Sequence, residues 1–429
     1  MKKSTLLIIL LTLVNISFAQ LQFTSVNEVI VYADQHNLSL QKAEANKNIV
    51  AVNSGMAKSE LSPKINAFST AGYDPIIPTQ VIPDKIFGGT EGKFTKVQFG
   101  MPYNFSTGLE LSIPLLNFEK WAALQTSRLQ IEKAKWTTET AKEALHDRVI
   151  ETYYKSLAFR GLMATNSENE KVAKQLLAII EKRKAQGITN PADLNRTKNL
   201  VIDIQSTGLE YERNHHLYLN ELKSLLNLPQ EASLVLKDSL SVNWELAALK
   251  ETGAKALSKE TASAYEVALQ QLQESRKASL PKLSLQSRYY HQWLMNNGSN
   301  AQTVHFDAAT VGLRMDVSLF NGGYNKARQK RAAYYVEEAA INKQQVQSNL
   351  AKQQADWLVA FQQAKKRWAL VQQKLIVAGD NLRIAQLSMK EGIMEFEEFN
   401  NIFSEHIKAG IEKIQTQLDG LLYKTLLTQ

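Results

Sequence analysis

Two kinds of hydrophobic periodicity alternate along this chain. From Lys282 to Trp293, the residues Leu283, Leu285, Tyr289 and Trp293 share one parity, while Lys282, Ser284, Gln286, Arg288 and Gln292 share the other. A period of two sends successive side chains to opposite faces of a strand. The pattern resumes beyond a polar turn at Asn296–Gly298, with Val311, Leu313, Met315, Val317 and Leu319 set against Gly312, Arg314, Asp316 and Ser318. The two runs predict a hairpin over about 282–294 and 309–319. A similar pair lies upstream. One strand is expected over 64–73, with Ile65, Ala67, Ala71 and Tyr73 on one side. Another is expected over 104–114, where Phe105, Thr107, Leu109, Leu111 and Ile113 alternate with Asn104, Ser106, Gly108, Glu110 and Ser112. Between them, Asp74–Met101 carries Pro75, Pro78, Pro83, Gly88, Gly89, Gly92 and Gly100, which predicts a long loop.

The remaining segments are helical in pattern and unusually long. A first helix is expected from Ser25 to Glu60, ending before Pro63. The stretch from about Glu119 to Gln186 has no proline, and as one helix it reaches on the order of 100 Å at about 1.5 Å per residue. Gly187 to Pro191 breaks it, with Asn190 as N-cap and Pro191 in the first turn, and a return helix runs from Ala192 to about Leu226. After an irregular segment over 228–243 come a helix from Trp244 to Ser279, the hairpin described above, and a second long helix from Tyr324 to Glu391. In its later part Val371, Leu375, Ala378, Leu382, Ala385, Met389 and Gly392 follow a 4-3 spacing, the rhythm of a coiled-coil seam. Gly392 breaks this helix, and Glu395 to Leu427 returns.

The order is a tandem repeat, about 20–227 and 244–429, joined by the irregular segment 228–243. Short signatures recur with it. Pro63-Lys64-Ile65 returns as Pro281-Lys282-Leu283, and Gly108 to Asn117 returns as Gly312 to Asn321. The breaks recur too, since Asp193 lies six residues beyond Gly187 and Glu398 six beyond Gly392.

Composition narrows the classes. The segment 1–19 opens with Lys2 and Lys3, continues through an apolar run and reaches Ser17-Phe18-Ala19, the pattern of a secretory signal peptide. There is no cysteine, hence no disulfide framework and no expected lipid-anchored N-terminus. Fifty basic and 42 acidic residues give a formal net charge of +8, but the two signs are interspersed, which suits solvated helix faces better than a nucleic-acid footprint. His36, His146, His215, His216, His291, His305 and His406 show no metal-ligand spacing, and no catalytic constellation or cofactor loop stands out, so neither an enzyme nor a cofactor is expected. Four strands are too few to close a barrel, whereas three copies supply about twelve. Glu110, Arg288, Arg314 and Asp316 then face a lumen, with solvated residues of an ordinary sheet as the alternative.

The Leu280 to Leu283 junction, Val317-Ser318-Leu319-Phe320-Asn321-Gly322-Gly323, Leu225-Leu226-Asn227-Leu228-Pro229 and the two glycine breaks resemble the TolC-like outer-membrane efflux proteins of Gram-negative bacteria. The resemblance covers essentially the whole chain after residue 19. It implies a mainly α, α+β membrane protein: a homotrimer whose helical hairpins form a periplasmic α-barrel and whose strands form a twelve-stranded outer-membrane β-barrel. The implied role is a passive exit duct of a tripartite efflux pump or type I secretion system, working with a periplasmic adaptor and an inner-membrane transporter. Carried over by position, Asp193, Glu398 and Asn401 would line a constriction at the periplasmic tip, beside the breaks at Gly187 and Gly392. Met389 and Met394 stand where other members carry lock-forming tyrosine and arginine, so the aperture is expected to rest on Met389, Met394 and Phe396. First-turn acids favoured by the helix dipole are the alternative for Glu395, Glu397 and Glu398. A secreted or periplasmic coiled-coil scaffold without channel activity is the alternative for the whole chain.

Overall fold

The alternating segments pair into one antiparallel sheet. In the computed structural model, which describes residues 21–246, 255–296 and 302–428, strands β1 (Leu21–Phe23), β2 (Lys64–Tyr73), β3 (Thr79–Pro83), β4 (Phe94–Gln98), β5 (Tyr103–Asn117), β6 (Leu234–Leu236), β7 (Lys282–Met295) and β8 (Thr303–Asp316) form three sheets. The largest has the order β2-β5-β7-β8. The helices are α1 (Val26–His36), α2 (Leu38–Ser59), α3 (Phe118–Ala185), α4 (Pro191–Leu225), α5 (Ala256–Lys277), α6 (Tyr324–Glu391) and α7 (Phe396–Thr428). The expected leader over 1–19 and most of the turn at Asn296–Gly298 lie outside the described residues.

The chain partitions into two units. One comprises Met1–Ala45, Trp136–Lys259 and Gln344–Gln429, the other Asn46–Lys135 and Glu260–Lys343. Each takes segments from both sequence repeats.

In the helical unit, Val29, Val149, Ile150, Tyr153, Leu222 and Leu226 form one fully buried core with β1 and β6 against it. These two strands pair in parallel, Leu21 opposite Leu234, so the segment expected to be irregular over 228–243 holds a short strand. Beyond β6 the chain is strapped down: the Tyr153 hydroxyl donates to Asp238 at 3.1 Å, and the Arg160 guanidinium donates to the carbonyls of Leu236 and Asp238. Trp244, expected to open a helix, instead packs against Phe361 and Trp368 and covers Gly420, where a Cβ would lie 2.5 Å from the indole. The helix in question begins at Ala256, beyond the undescribed residues 247–254. A second core joins four helices near the breaks: Leu176 and Ile180 of α3, Leu194 and Val201 of α4, Leu382 and Met389 of α6, and Phe399 and Phe403 of α7. The 4-3 seam of α6 supplies its buried stripe.

In the sheet unit, two expectations change. The fourth strand, expected over 309–319, occupies Thr303–Asp316. It starts earlier because the alternation inverts there, with Val304, Phe306 and Ala308 on the parity that is polar farther along. It stops at Asp316 because β7 begins at Lys282, opposite that residue, and offers nothing beyond it. The loop over 74–101 contains the hairpin β3–β4, whose own ladder pairs Thr79 with Gln98 and Pro83 with Phe94. Its prolines and glycines sit at the ends and in the connection, where they cost no ladder bond.

Candidate functional site

Two places hold the candidate residues, one in each unit. In the helical unit both helix breaks are built the same way. Gly187 (φ 73°) and Gly392 (φ 84°) adopt the left-handed conformation that favours glycine, and each is followed by an isoleucine. The Ile188 N–H donates to the Arg183 carbonyl at 3.0 Å and the Ile393 N–H to the Ser388 carbonyl at 3.0 Å, the long bond of a Schellman cap. Asn190 then caps α4, its side-chain oxygen accepting from Ala192 N–H at 2.9 Å.

The same backbone device carries opposite charge. Around the first break, from 181 to 198, five basic residues (Lys182, Arg183, Lys184, Arg196, Lys198) face two acids. Around the second, from 390 to 398, one lysine faces four acids, Glu391, Glu395, Glu397 and Glu398. Arg196 joins the two: its guanidinium donates to Glu397 at 3.2 Å and lies 3.8 Å from the Asp193 carboxylate. The structure therefore brings Asp193 together with Glu397, while Glu398 and Asn401 are exposed and, among the described residues, share no ion pair with that cluster. Arg196 was absent from the sequence reading, although its signal was available: it lies three residues after Asp193, as Asn401 does after Glu398.

The three residues expected at the aperture lie in or against the four-helix core. Met389 is fully buried and Phe396 nearly so, both inside the four-helix core, and Met394 is half-buried against it. For Met389, the position on the apolar seam outweighs the position beside the break.

In the sheet unit, one parity is polar and paired. Glu110 and Arg288 stand directly opposite across β5 and β7, 3.3 Å apart. Arg288 also lies over the ring of Phe68 at 4.2 Å, reaching across Gly108, whose missing side chain leaves that space. A Cβ at Gly108 would lie 2.2 Å from the Tyr289 carbonyl. Arg314 reaches Asp316 at 3.0 Å on β8. Glu110, Arg288 and Arg314 line a shallow cleft of about 440 Å³; Asp316 lies outside it.

The other parity is apolar and uncovered. Ile65, Leu109, Val311, Leu313 and Met315 are all exposed, Val311 at 72%. Toward the loop end this face becomes aromatic, with Tyr73 stacked on Tyr103 and Phe105 against Trp293, and His291 paired with Asp307 at 2.7 Å. An exposed apolar face of this extent, rimmed by aromatics, marks a surface that another phase or partner covers. The outer edges of β2 and β8 are both unpaired among the described residues. Among the same residues, no helix is long and apolar enough to cross a membrane, which says nothing of strands.

Known proteins share this architecture. The family described as "Outer membrane efflux protein" matches residues 29–228 and 259–399. The outer membrane protein VceC of Vibrio cholerae superposes with a TM-score of 0.75 at 16% identity, covering 94% of each chain. The CmeC outer membrane channel of Campylobacter jejuni gives 0.76 at 15%, covering 94% of this chain and 84% of that one. At these identities the likeness concerns the fold. The Proteases secretion protein PrtF of Dickeya chrysanthemi is 22% identical over 257 residues, 56% of this chain and 54% of the relative, so the match spans about half of each.

Proposed function

Because the chain belongs to the outer membrane efflux protein family, we propose that it is the outer-membrane exit duct of a tripartite efflux pump or type I secretion system, built as a trimer and gated at its periplasmic end. One observation carries this reading: a four-stranded sheet with an exposed apolar face, a polar opposite face and two free edges. Such a sheet is a liability as a free-standing object. Three copies joined edge to edge make twelve strands, with the apolar face toward lipid and Glu110, Arg288, Arg314 and Asp316 toward a water-filled lumen. The helices extend the duct into the periplasm, where an adaptor couples it to an inner-membrane transporter that supplies the energy. The likeness to PrtF, a proteases secretion protein, supports the secretion branch, and membership of the outer membrane efflux protein family supports the efflux branch.

The gate is the end that carries the two breaks. Alternating basic first breaks and acidic second breaks around a ring give each Arg196 an acidic neighbour, and three Glu398 carboxylates supply an unpaired ring that favours cations. Purified protein is expected to run as a heat-modifiable trimer and to conduct in planar bilayers with cation preference. Glu398→Gln is expected to reduce that preference severalfold. A soluble monomer without conductance overturns the duct; unchanged selectivity in the variant removes Glu398 from the pore.

A further inference from the structure

The internal duplication specifies how one copy pairs with the next. Within the chain, one kind of strand seam occurs twice. Lys64 stands opposite Ser112 across β2 and β5, and Lys282 stands opposite Asp316 across β7 and β8. These are the same pair under the sequence repeat, because Lys64 corresponds to Lys282 and Ser112 to Asp316. The correspondence read from short signatures is therefore obeyed by hydrogen-bond register.

A second kind of seam occurs once, between β5 and β7. There Leu111 faces Ser287, a bulge interrupts the ladder between Pro114 and Leu116, and Leu116 then faces Leu283. By the same correspondence its missing counterpart joins β8 to β2, and these are the two strands with free outer edges. In a single chain they cannot meet, since they are opposite ends of one four-stranded sheet.

We infer that the seam between copies is β8 against β2 of the partner subunit, in the register of the β5–β7 seam, with Met315 opposite Ser69 of the partner subunit and Phe320 opposite Ile65 of the partner subunit. This rests on the channel reading and adds to it the register. Faces agree: Met315 and Ser69 are both on the apolar parity, so the joined sheet keeps one continuous lipid face. The pairing also accounts for the most conspicuous unpacked side chains of the sheet unit. Leu319 is 93% and Phe320 86% exposed, whereas their counterparts Leu115 and Leu116 on the interior strand β5 are about 40% exposed, at 42% and 40%. The difference is the absent partner strand. In the assembly 317–321 continues β8, Phe320 packs over Ile65 of the partner subunit, and Leu319, the bulge residue equivalent to Leu115, stays turned toward lipid.

The chain has no cysteine, so paired substitutions report cleanly. Directly opposite positions on antiparallel strands lie about 4.5–5.5 Å apart between Cα atoms, within reach of a disulfide. Outer membranes carrying Met315→Cys with Ser69→Cys are expected, after oxidation, to give covalent trimers on a non-reducing denaturing gel. Met315→Cys with Ala67→Cys or Ala71→Cys, shifted by two residues on the same face, is expected to give at least tenfold less. Phe320→Cys with Ile65→Cys tests the register beyond the bulge and serves if the first pair blocks assembly. A conducting trimer that crosslinks as well in a shifted pair, or in none, overturns the register and leaves the channel standing. A soluble monomer removes both.

Discussion

The region around the helix breaks and the strand sheet solve burial in opposite ways. Near the breaks, four helices enclose Leu176, Met389, Phe399 and Phe403 within one chain. The sheet leaves Leu313, Met315 and Val311 uncovered and finishes neither edge. One region closes an apolar core within the chain; the other leaves an apolar face and both edges uncovered. A substitution should therefore act on chain stability in the first region and on assembly in the second.

The largest separation is expected from Phe403→Ala against Leu313→Ala. Phe403 is fully buried, so its truncation removes the ring and leaves a cavity, at a cost of about 3–5 kcal/mol. Leu313, two-thirds exposed, should cost less than about 0.5 kcal/mol of chain stability while weakening insertion into lipid. Denaturant unfolding in detergent, followed by reconstitution, distinguishes them. Equal losses in both assays would mean that the two regions do not differ as described.

The same contrast decides what was legible in the sequence. Period two announced the sheet because half of each strand faces a different medium, and glycine announced the breaks because only a left-handed residue turns the chain there. The inverted alternation near Thr303 was hidden: once the parity that is apolar farther along turns to His305 and Asp307, the parity rule points the wrong way. Met389 carried two messages, one from its place beside Gly392 and one from its place on the 4-3 seam, and packing favoured the second. Arg196 escaped because its spacing of three residues after Asp193 names no partner until the fold brings Glu397 to 3.2 Å. The proposed edge-to-edge seam takes its register from the observed β5–β7 pairing, which the repeat alone does not supply.

A smaller effect, confined to the helical unit, is expected from acid. His406 on α7 packs near Gly379 of α6, and its Nδ1 has no hydrogen-bond partner among the described residues. Burial holds the imidazole below its ordinary pKa of 6.5. The unfolded chain therefore takes up this proton at higher pH than the folded one. The stability is complete above the ordinary value and falls as the pH drops from there toward the depressed folded value. Unfolding midpoints between pH 7.5 and 5.5 should fall in the parent and fall less in His406→Gln. An identical slope in both would assign the acid sensitivity to other groups.

A small effect on stability, and the most informative one for function, is expected at Arg196. Both partners of its ion pair are mostly exposed, Arg196 at 58% and Glu397 at 74%, so removing the pair should cost less than about 1 kcal/mol. Its consequence lies elsewhere, because it ties the first break to the second at the proposed gate. If that tie holds the duct closed, Arg196→Ala raises open probability in planar bilayers with little change in unfolding. Salt gives an independent check. At about 1 M the screening length is near 3 Å, so the parent at high salt should approach the behaviour that the variant shows at about 0.1 M. The double variant Arg196→Ala with Glu397→Ala should then match the single one, since the arginine no longer has a partner to release. If gating in the parent is indifferent to salt and equal to the variant at every concentration, the pair is an ornament of two adjacent helix turns. The closed state must then be held by packing around Phe399 and Phe403 alone.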